Sequence, residues 1–524
     1  MTPFVIGTDT LDLAAFLDVV RRCRPVILGQ GARARVEEGL AFRNELVAGG
    51  RSVYGVNTGF GKLADTRIDT DRLGQLQDNL IRSHAIGWGR PLDRDEARGM
   101  ILLRAVSLSQ GHSGVRPAVI EQLLWLLEAD LHPFLPSRGS VGASGDLAPL
   151  AHLALVLMGE GHLLDADETR SDAGPVLASH GRSPLRLEAK EGLALINGTQ
   201  MMNALGLLGV ARTRSLIGWA VMALNLTIEA REESLKPFGA RFHALRPHPG
   251  VEAVASAVRS WMDCSEILTA HENCSRVQDP YSVRCAAQVI GTSLEVVAEV
   301  EAVLLREGRS VTDNPVLFPE TGEVVSGGHF HGQPLALRLD ALRVAVCEIA
   351  SVAERRIDLL MNGNGGRLPR FLAAEPGLES GLMIAQYLAA ALVSENKQSA
   401  FPASVDSIPT SLGQEDHVSM GSIAALVLGP TLDRSFAVIA LELLSAARAL
   451  QYVTRPDLAA AIGRQAHDPS PWTGKLLAEI AARIDLSPGD RPLTGDLETM
   501  LAMMDSDIDA SFAEPLAILT GVRP

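Results

Sequence analysis

The residues richest in chemistry lie together at positions 142–146. Gly142-Ala143-Ser144-Gly145-Asp146 sits inside the run Ser140-Val141-Gly142-Ala143-Ser144-Gly145-Asp146-Leu147-Ala148-Pro149-Leu150-Ala151-His152. Glycine lacks a Cβ and reaches backbone conformations closed to other residues, so this stretch can turn tightly on itself. In such a turn the Gly145 amide nitrogen can reach the Ala143 carbonyl carbon. Closure there, with loss of water from Ser144, gives an imidazolone carrying an exposed, electron-poor alkene. The bland alternative is a Gly/Ser turn entering a helix at Leu147, with Asp146 as its N-cap. A nucleophile elbow is excluded, because the second glycine of G-x-S-x-G is missing.

Other loops carry polar and aromatic residues in dense runs. Tyr54-Gly55-Val56-Asn57-Thr58-Gly59-Phe60-Gly61 sets three glycines and an Asn around two aromatics. Gln278-Asp279-Pro280-Tyr281-Ser282-Val283-Arg284-Cys285 offers an Arg, whose planar fork grips a carboxylate bidentately. An Arg in a first helical turn is otherwise a surface ion-pair partner. Further runs are Arg82-Ser83-His84-Ala85, Ala194-Leu195-Ile196-Asn197-Gly198-Thr199-Gln200, Thr312-Asp313-Asn314-Pro315 and Gly327-Gly328-His329-Phe330-His331-Gly332. The last contains a His-x-His pair, but no Cys, Asp or Glu companion stands at ligand spacing, so no metal is expected.

Taken in this order, the runs resemble the self-processing histidine, phenylalanine and tyrosine ammonia-lyases, which make 4-methylideneimidazol-5-one (MIO) from their own backbone. The resemblance covers residues 53–420 and is weak beyond 450. It implies the mainly α fold of the ammonia-lyase superfamily, no external cofactor and no metal. It also implies a homotetramer whose sites combine loops from three subunits.

The roles carried by the resemblance answer a real difficulty. The Cβ–H bond of an amino acid is barely acidic and ammonium leaves poorly, so the site needs an electrophile, a base, a carboxylate clamp and a side-chain pocket. Ala143, Ser144 and Gly145 would form the electrophilic ring, with Asp146 assisting closure. Tyr54 would take the β-proton as a phenolate, which requires its pKa to fall from about 10 toward operating pH. Arg284 would hold the carboxylate, with Tyr281 and Gln278 beside the substrate. Asn197 would help hold the substrate and orient the ring, and Phe330 would lie near it.

Substrate choice is read at two places. Ser83-His84 occupies the position of the family's selectivity dipeptide, where phenylalanine enzymes have an apolar pair; a His there can hydrogen-bond an imidazole or a phenol. Gln414-Glu415-Asp416-His417-Val418-Ser419-Met420 is the histidine-type string, where tyrosine and phenylalanine enzymes usually have Gln-Asp. Glu415 can pair with an imidazole N–H, whereas a neutral phenyl ring gains nothing from a buried carboxylate. Met383-Ile384-Ala385-Gln386 and Ser394-Glu395-Asn396-Lys397 also look histidine-type. The expected reaction is conversion of L-histidine to trans-urocanate and ammonia. The alternative is a tyrosine or other aromatic ammonia-lyase, or a 2,3-aminomutase. Four residues depart from the family pattern: Arg309, His329, Leu382 and Gly413. A serine hydrolase using Ser144, or a non-catalytic helical assembly protein, leaves Tyr54, Arg284 and Glu415 together unexplained.

These loops need a scaffold, and the composition describes one. The 524 residues are 47% apolar but only 4% aromatic, so the interior is built from Ala, Leu, Val and Ile, which favour helix. Apolar spacing of three and four predicts helices over 210–233, 251–268, 285–306, 333–361, 383–396 and 418–450, the last with a break at Gly429-Pro430. A weakly patterned stretch, 165–184, reads as a surface excursion. The expected organisation is a loop-rich N-terminal catalytic part (1–203), a central bundle of long helices (204–450) and a C-terminal helical part (451–524). A net charge of −15 argues against nucleic acid as a partner. The five cysteines form no CxxC pair, the first residues lack a signal-peptide pattern, and no run of about 18 uncharged apolar residues stands out. A cytoplasmic enzyme acting on a small amino acid is the expectation, with no membrane partner.

Overall fold

Alanine- and leucine-rich segments become helix, and the loops between them carry the chemistry. In the computed structural model the described residues are 1–49, 53–59, 67–165, 169–271, 277–505 and 519. The long helices include Gln30–Ala48, Gln200–Arg231, Ala286–Gly308, Gln333–Met361, Met383–Ser399 and Gly421–Thr454. Strands are confined to small sheets. Phe4–Ile6 pairs in parallel with Val26–Leu28, while Trp88–Pro91 with Pro136–Arg138 and Val316–Phe318 with Glu323–Val325 are antiparallel. A three-stranded sheet joins His132–Pro133, His162–Leu164 and Arg170–Asp172. The mainly α expectation holds.

Two compact units share the chain, each assembled from separated stretches: Met1–Gly209, Val300–Asp340 and Pro402–Leu428 in the first, and Val210–Glu299, Ala341–Phe401 and Gly429–Pro524 in the second. The segment 1–203 lies wholly in the first unit, while the stretch expected as one central bundle is divided between the two.

In the first unit, Arg94–Leu108 starts with a reciprocal cap: the Glu96 amide donates to Asp93 Oδ1 at 2.8 Å, and the Asp93 amide donates to Glu96 Oε2 at 2.9 Å. This helix packs on Leu13–Val20 and Pro117–Glu128, and Arg98 donates to the closing carbonyls of both. A second cluster matters more for the site. Leu73–His84, Leu147–Leu157 and Glu191–Ile196 pack against one another. The first ends at His84, the second follows the 142–146 loop and the third leads into Asn197. Their burial brings three separate motifs to one place. In the second unit, Arg356 grips Glu442 through two bonds of 2.5 and 2.7 Å, both side chains fully buried, and Thr227 donates to the same carboxylate.

The periodicity misses some boundaries. Gly429-Pro430 does not break the last long helix, which runs unbroken through Pro430. Leu428, Leu432 and Val438 are buried on either side, and this packing outweighs a local cost of about 3 kcal/mol. Conversely, 251–268 is two helices, Pro249–Trp261 and Glu266–Ala270. Cys264 takes a positive φ of 61° and Ser265 caps the second helix by accepting from the Leu268 amide. The 165–184 stretch contains the exposed strand Arg170–Asp172 and the helix Ala173–Ser179. Two helices, Gln200–Arg231 and Gly421–Thr454, are after all long and apolar enough to cross a membrane, but 78% and 56% of their apolar windows are buried inside the protein. Core helices of this composition pass the same test.

Lys190 and Asp313 form a fully buried ion pair in the first unit, with Nζ 2.5 Å from Oδ2. Burial lowers the Lys190 pKa and Asp313 opposes that shift. Removing one partner strands the other charge, so Asp313→Ala should cost about 3–5 kcal/mol of stability. A Lys190→Met/Asp313→Leu double variant should recover most of it. Urea denaturation at fixed protein concentration reads both, and a cost below about 1 kcal/mol for the single variant would contradict a buried charge pair.

Candidate active site

The 142–146 loop is held in the tight turn that its glycines permit. Gly142 and Gly145 have φ of 68° and 74°. A Cβ on Gly145 would stand 2.1 Å from the Gly198 carbonyl oxygen, and one on Gly142 would stand 2.3 Å from Ser419 Oγ. Neither position accepts a side chain. The loop is stitched on both flanks. The Asp146 amide donates to Gly198 O at 2.7 Å, the Met420 amide to Val141 O at 3.0 Å, and Ser419 Oγ to Gly142 O at 2.9 Å. Ala143 packs against Val418 and Met420. The histidine-type string that follows Gln414 therefore also forms the wall behind the loop.

Asp146 stands at the N-cap position of Leu147–Leu157, yet its side chain makes no capping bond there. It caps a different helix. Oδ2 accepts from the Met202 amide at 3.0 Å, in the first turn of Gln200–Arg231, and Oδ1 lies 2.8 Å from Ser422 Oγ. Complete burial pushes its pKa up to about 6, against the hydrogen bonds from Met202, Ser422 and Met201.

Above the loop opens a cavity of about 1080 Å³, lined by Tyr54, His84, Ala143, Ser144, Asn197, Phe330 and Glu415 among others. These seven came from six separate motifs. Ser144 Oγ donates to Glu415 Oε1 at 2.9 Å, and the other Glu415 oxygen accepts from Thr410 Oγ1 at 2.6 Å. Asn197 Nδ2 donates to the Ser144 carbonyl at 3.1 Å. Tyr54 is half-buried in a turn where Val53 and Val56 pack with Leu73 and Ala189, and the Asn57 side chain accepts from the Val53 amide. Phe60 and Gly61 of the same motif lie outside the described residues.

His84 Nδ1 lies 2.9 Å from the Leu80 carbonyl oxygen. Ser83 Oγ lies 3.0 Å from the same nitrogen, so Nδ1 is engaged at the end of its own helix. His331 is spoken for: the Gln333 amide donates to Nδ1 at 3.3 Å, and Nε2 donates to the His417 carbonyl at 3.1 Å. His329 is exposed and does not line the cavity.

Gln278, Tyr281 and Arg284 are not among the lining residues and belong to the second unit. They form a group of their own. Arg284 Nη2 donates to Gln278 Oε1 at 3.0 Å, the guanidinium sits 4.5 Å over the Tyr281 ring, and Tyr281 is 71% exposed. No lysine or arginine appears among the described residues lining the cavity.

Supporting residues escaped the sequence reading. Arg104, fully buried, donates to the Asn197 carbonyl at 3.1 Å, to Gln200 Oε1 at 2.9 Å and to the Ala194 carbonyl. It fixes the turn that aims Asn197. Burial brings its pKa down to about 10, with Asp313 opposing the shift. Ser140 and Ser422 also bind the loop, and Thr410 orients Glu415. An isolated Arg, Ser or Thr carries no pattern that would have marked it.

A family model described as aromatic amino acid lyase matches residues 11–479. The chain belongs to the aromatic amino acid lyase family. The histidine ammonia-lyase of Deinococcus radiodurans is 53% identical over 443 residues, 84% of either chain. That of Gloeobacter violaceus is 47% identical over 501 residues, 95% of either chain. Among solved structures, the histidine ammonia-lyase of Trypanosoma cruzi matches with a TM-score of 0.87 and 36% identity, over 99% of this chain and 96% of that one. The tyrosine aminomutase of Streptomyces globisporus matches with a TM-score of 0.89 and 33% identity, over 99% of each. This member of the aromatic amino acid lyase family is an ammonia-lyase, with the superfamily fold the sequence resembles.

The raised pKa of Asp146 has a measurable sign. The folded chain keeps the Asp146 proton up to about pH 6, whereas the unfolded carboxyl titrates near 3.8. Its contribution to stability is therefore full below pH 3.8 and is lost as pH rises through about 6. Over that window, wild type should lose up to about 3 kcal/mol relative to Asp146→Asn, which cannot titrate. Urea titrations from acid to neutral pH read the difference; a gap that stays constant contradicts the assignment.

Proposed function

We propose that this enzyme removes ammonia from L-histidine to give trans-urocanate. One observation carries the substrate: Glu415, a carboxylate acceptor, and His84, whose ring can donate or accept, line the cavity that also holds Ser144. An imidazole offers N–H donors to such a pair, and a phenyl ring offers none. A site built to accept hydrogen bonds rejects analogues that lack the donor.

Ala143-Ser144-Gly145 fits the family's MIO group. The turn has the required glycine conformations, and Asn197 already donates to the Ser144 carbonyl, which would become the ring carbonyl. When formed, that group supplies an electrophile that makes the amine a better leaving group. The other steps belong to side chains. Tyr54 accepts the Cβ proton, and Phe330 helps keep water from the reacting atoms. Arg284 holds the carboxylate with Gln278 and Tyr281 beside it. Since the described lining residues contain no cation, that arginine comes from another copy of the chain in a homotetramer with shared sites. An exposed stripe on Met383–Ser399, formed by Ile384, Tyr387 and Leu388, supports such an assembly. The four described cysteines are free thiols, in keeping with a reducing cytoplasm.

Incubation with L-histidine, L-tyrosine and L-phenylalanine in parallel tests the reading. Urocanate should form from histidine far faster than coumarate or cinnamate from the others. A preference for tyrosine would overturn the substrate, and β-histidine as the main product would make the enzyme an aminomutase. Per matured chain, Glu415→Ala should lower kcat/KM on histidine by about 100-fold or more. Any activity on tyrosine should fall much less, and equal losses would mean that Glu415 does not read the ring.

A further inference from the structure

Two serines outside the reacting tripeptide hold its ends together. Ser140 Oγ accepts from the Gly142 amide at 3.0 Å and donates to the Gly145 carbonyl at 3.0 Å, so one hydroxyl spans the loop from one side of Ala143-Ser144 to the other. Ser422, fully buried at the start of Gly421–Thr454, lies 2.8 Å from Ser140 Oγ and 2.8 Å from Asp146 Oδ1. The oxygens therefore form an unbroken row: Asp146, Ser422, Ser140, Gly145.

A count of protons shows what this row requires. Each hydroxyl has one hydrogen to give. If Asp146 is ionised, Ser422 donates to it and Ser140 donates to Gly145, and the contact between the two serines holds no proton. If Asp146 is neutral, it donates to Ser422, Ser422 to Ser140, and Ser140 to the Gly145 carbonyl. Every contact is then filled, while Oδ2 still accepts from the Met202 amide. Burial raises the Asp146 pKa to about 6, so the filled arrangement holds below that pH and Ser422 donates to the carboxylate above it.

We propose that Ser140 and Ser422 are positioning residues for the self-processing of this chain, forming with Asp146 a hydroxyl relay that clamps the 142–145 loop in the conformation that closes. The inference rests on the ring-forming reading above. In that closure the Gly145 nitrogen bonds to the Ala143 carbonyl carbon, and its proton goes to the Ala143 oxygen. This hydroxyl leaves as water with the Ser144 N–H proton, giving the C=N bond. Ser144 then loses its Cα hydrogen and its hydroxyl as a second water, giving the exocyclic alkene. No oxidant is needed. The demanding event is the approach of an amide nitrogen to a neighbouring carbonyl carbon, which a loop free to open would rarely achieve. Misplacement by about 1 Å at such a step costs on the order of 100-fold.

The experiment follows intact mass after a pulse of synthesis, for wild type, Ser140→Ala, Ser422→Ala and Ser422→Thr, with the melting temperature of each. Wild type should reach a mass two waters below its sequence mass. The two alanine variants should fold but lose their waters about ten-fold more slowly or worse, and Ser422→Thr, which keeps the hydroxyl, should recover much of the rate. Turnover of L-histidine should fall in step with the unmatured fraction, with KM unmoved. Maturation of both alanine variants at the wild-type rate overturns the relay. So does joint loss of folding and maturation in both, which would make the hydroxyls structural only. If wild type itself shows its full mass, the ring-forming reading fails instead.

Discussion

One buried carboxyl ties the catalytic part of the first unit together. Asp146 leaves the 142–146 loop and reaches the first turn of Gln200–Arg231 through Met202, and the start of Gly421–Thr454 through Ser422. Those two helices begin next to Asn197 and next to Glu415, respectively. A single group therefore sets the spacing between the loop, the amide that polarises its carbonyl and the carboxylate that faces its hydroxyl. Full burial makes the arrangement stringent, since an unpartnered carboxylate there would be costly. Its two oxygens find partners on two helices, and burial raises its pKa.

Electrostatics divide the site's labour in the same way. Lys190–Asp313 and Arg104 bury charge below the cavity, where it fixes backbone rather than meeting a substrate. The described cavity wall holds the Glu415 carboxylate and the His84 imidazole. These groups suit a ring with N–H groups, and no lysine or arginine stands among the described lining residues to meet a substrate carboxylate. Arg284, Tyr281 and Gln278 form a separate group in the second unit.

Much of this was legible in the sequence, for identifiable reasons. Ala143, Ser144, Tyr54, His84, Asn197, Phe330 and Glu415 stand in dense motifs, and all of them line one cavity. Five of the predicted long helices appear because burial imposes a period of three to four residues. Pattern alone could not show that Pro430 would be carried inside a helix, since that depends on what Leu428 and Leu432 pack against. Nor could it show that Asp146, whose bland alternative was a cap on its own helix, serves a helix more than fifty residues away. Arg104 and Ser422 were invisible for a different reason. Their work lies in single hydrogen bonds to backbone or side chain, and a lone polar residue in an apolar stretch has no spacing to read.

The most direct test of the account asks whether the electrophile sits at residues 143–145 and does the chemistry. Purified enzyme would be treated with borohydride, which delivers hydride to an electron-poor alkene, then assayed on L-histidine and mapped by peptide mass. The account predicts loss of urocanate formation together with one reduction, confined to the peptide containing Ala143-Ser144-Gly145, and protection by bound substrate. Unchanged activity after treatment, or inactivation with that peptide unmodified, would contradict it.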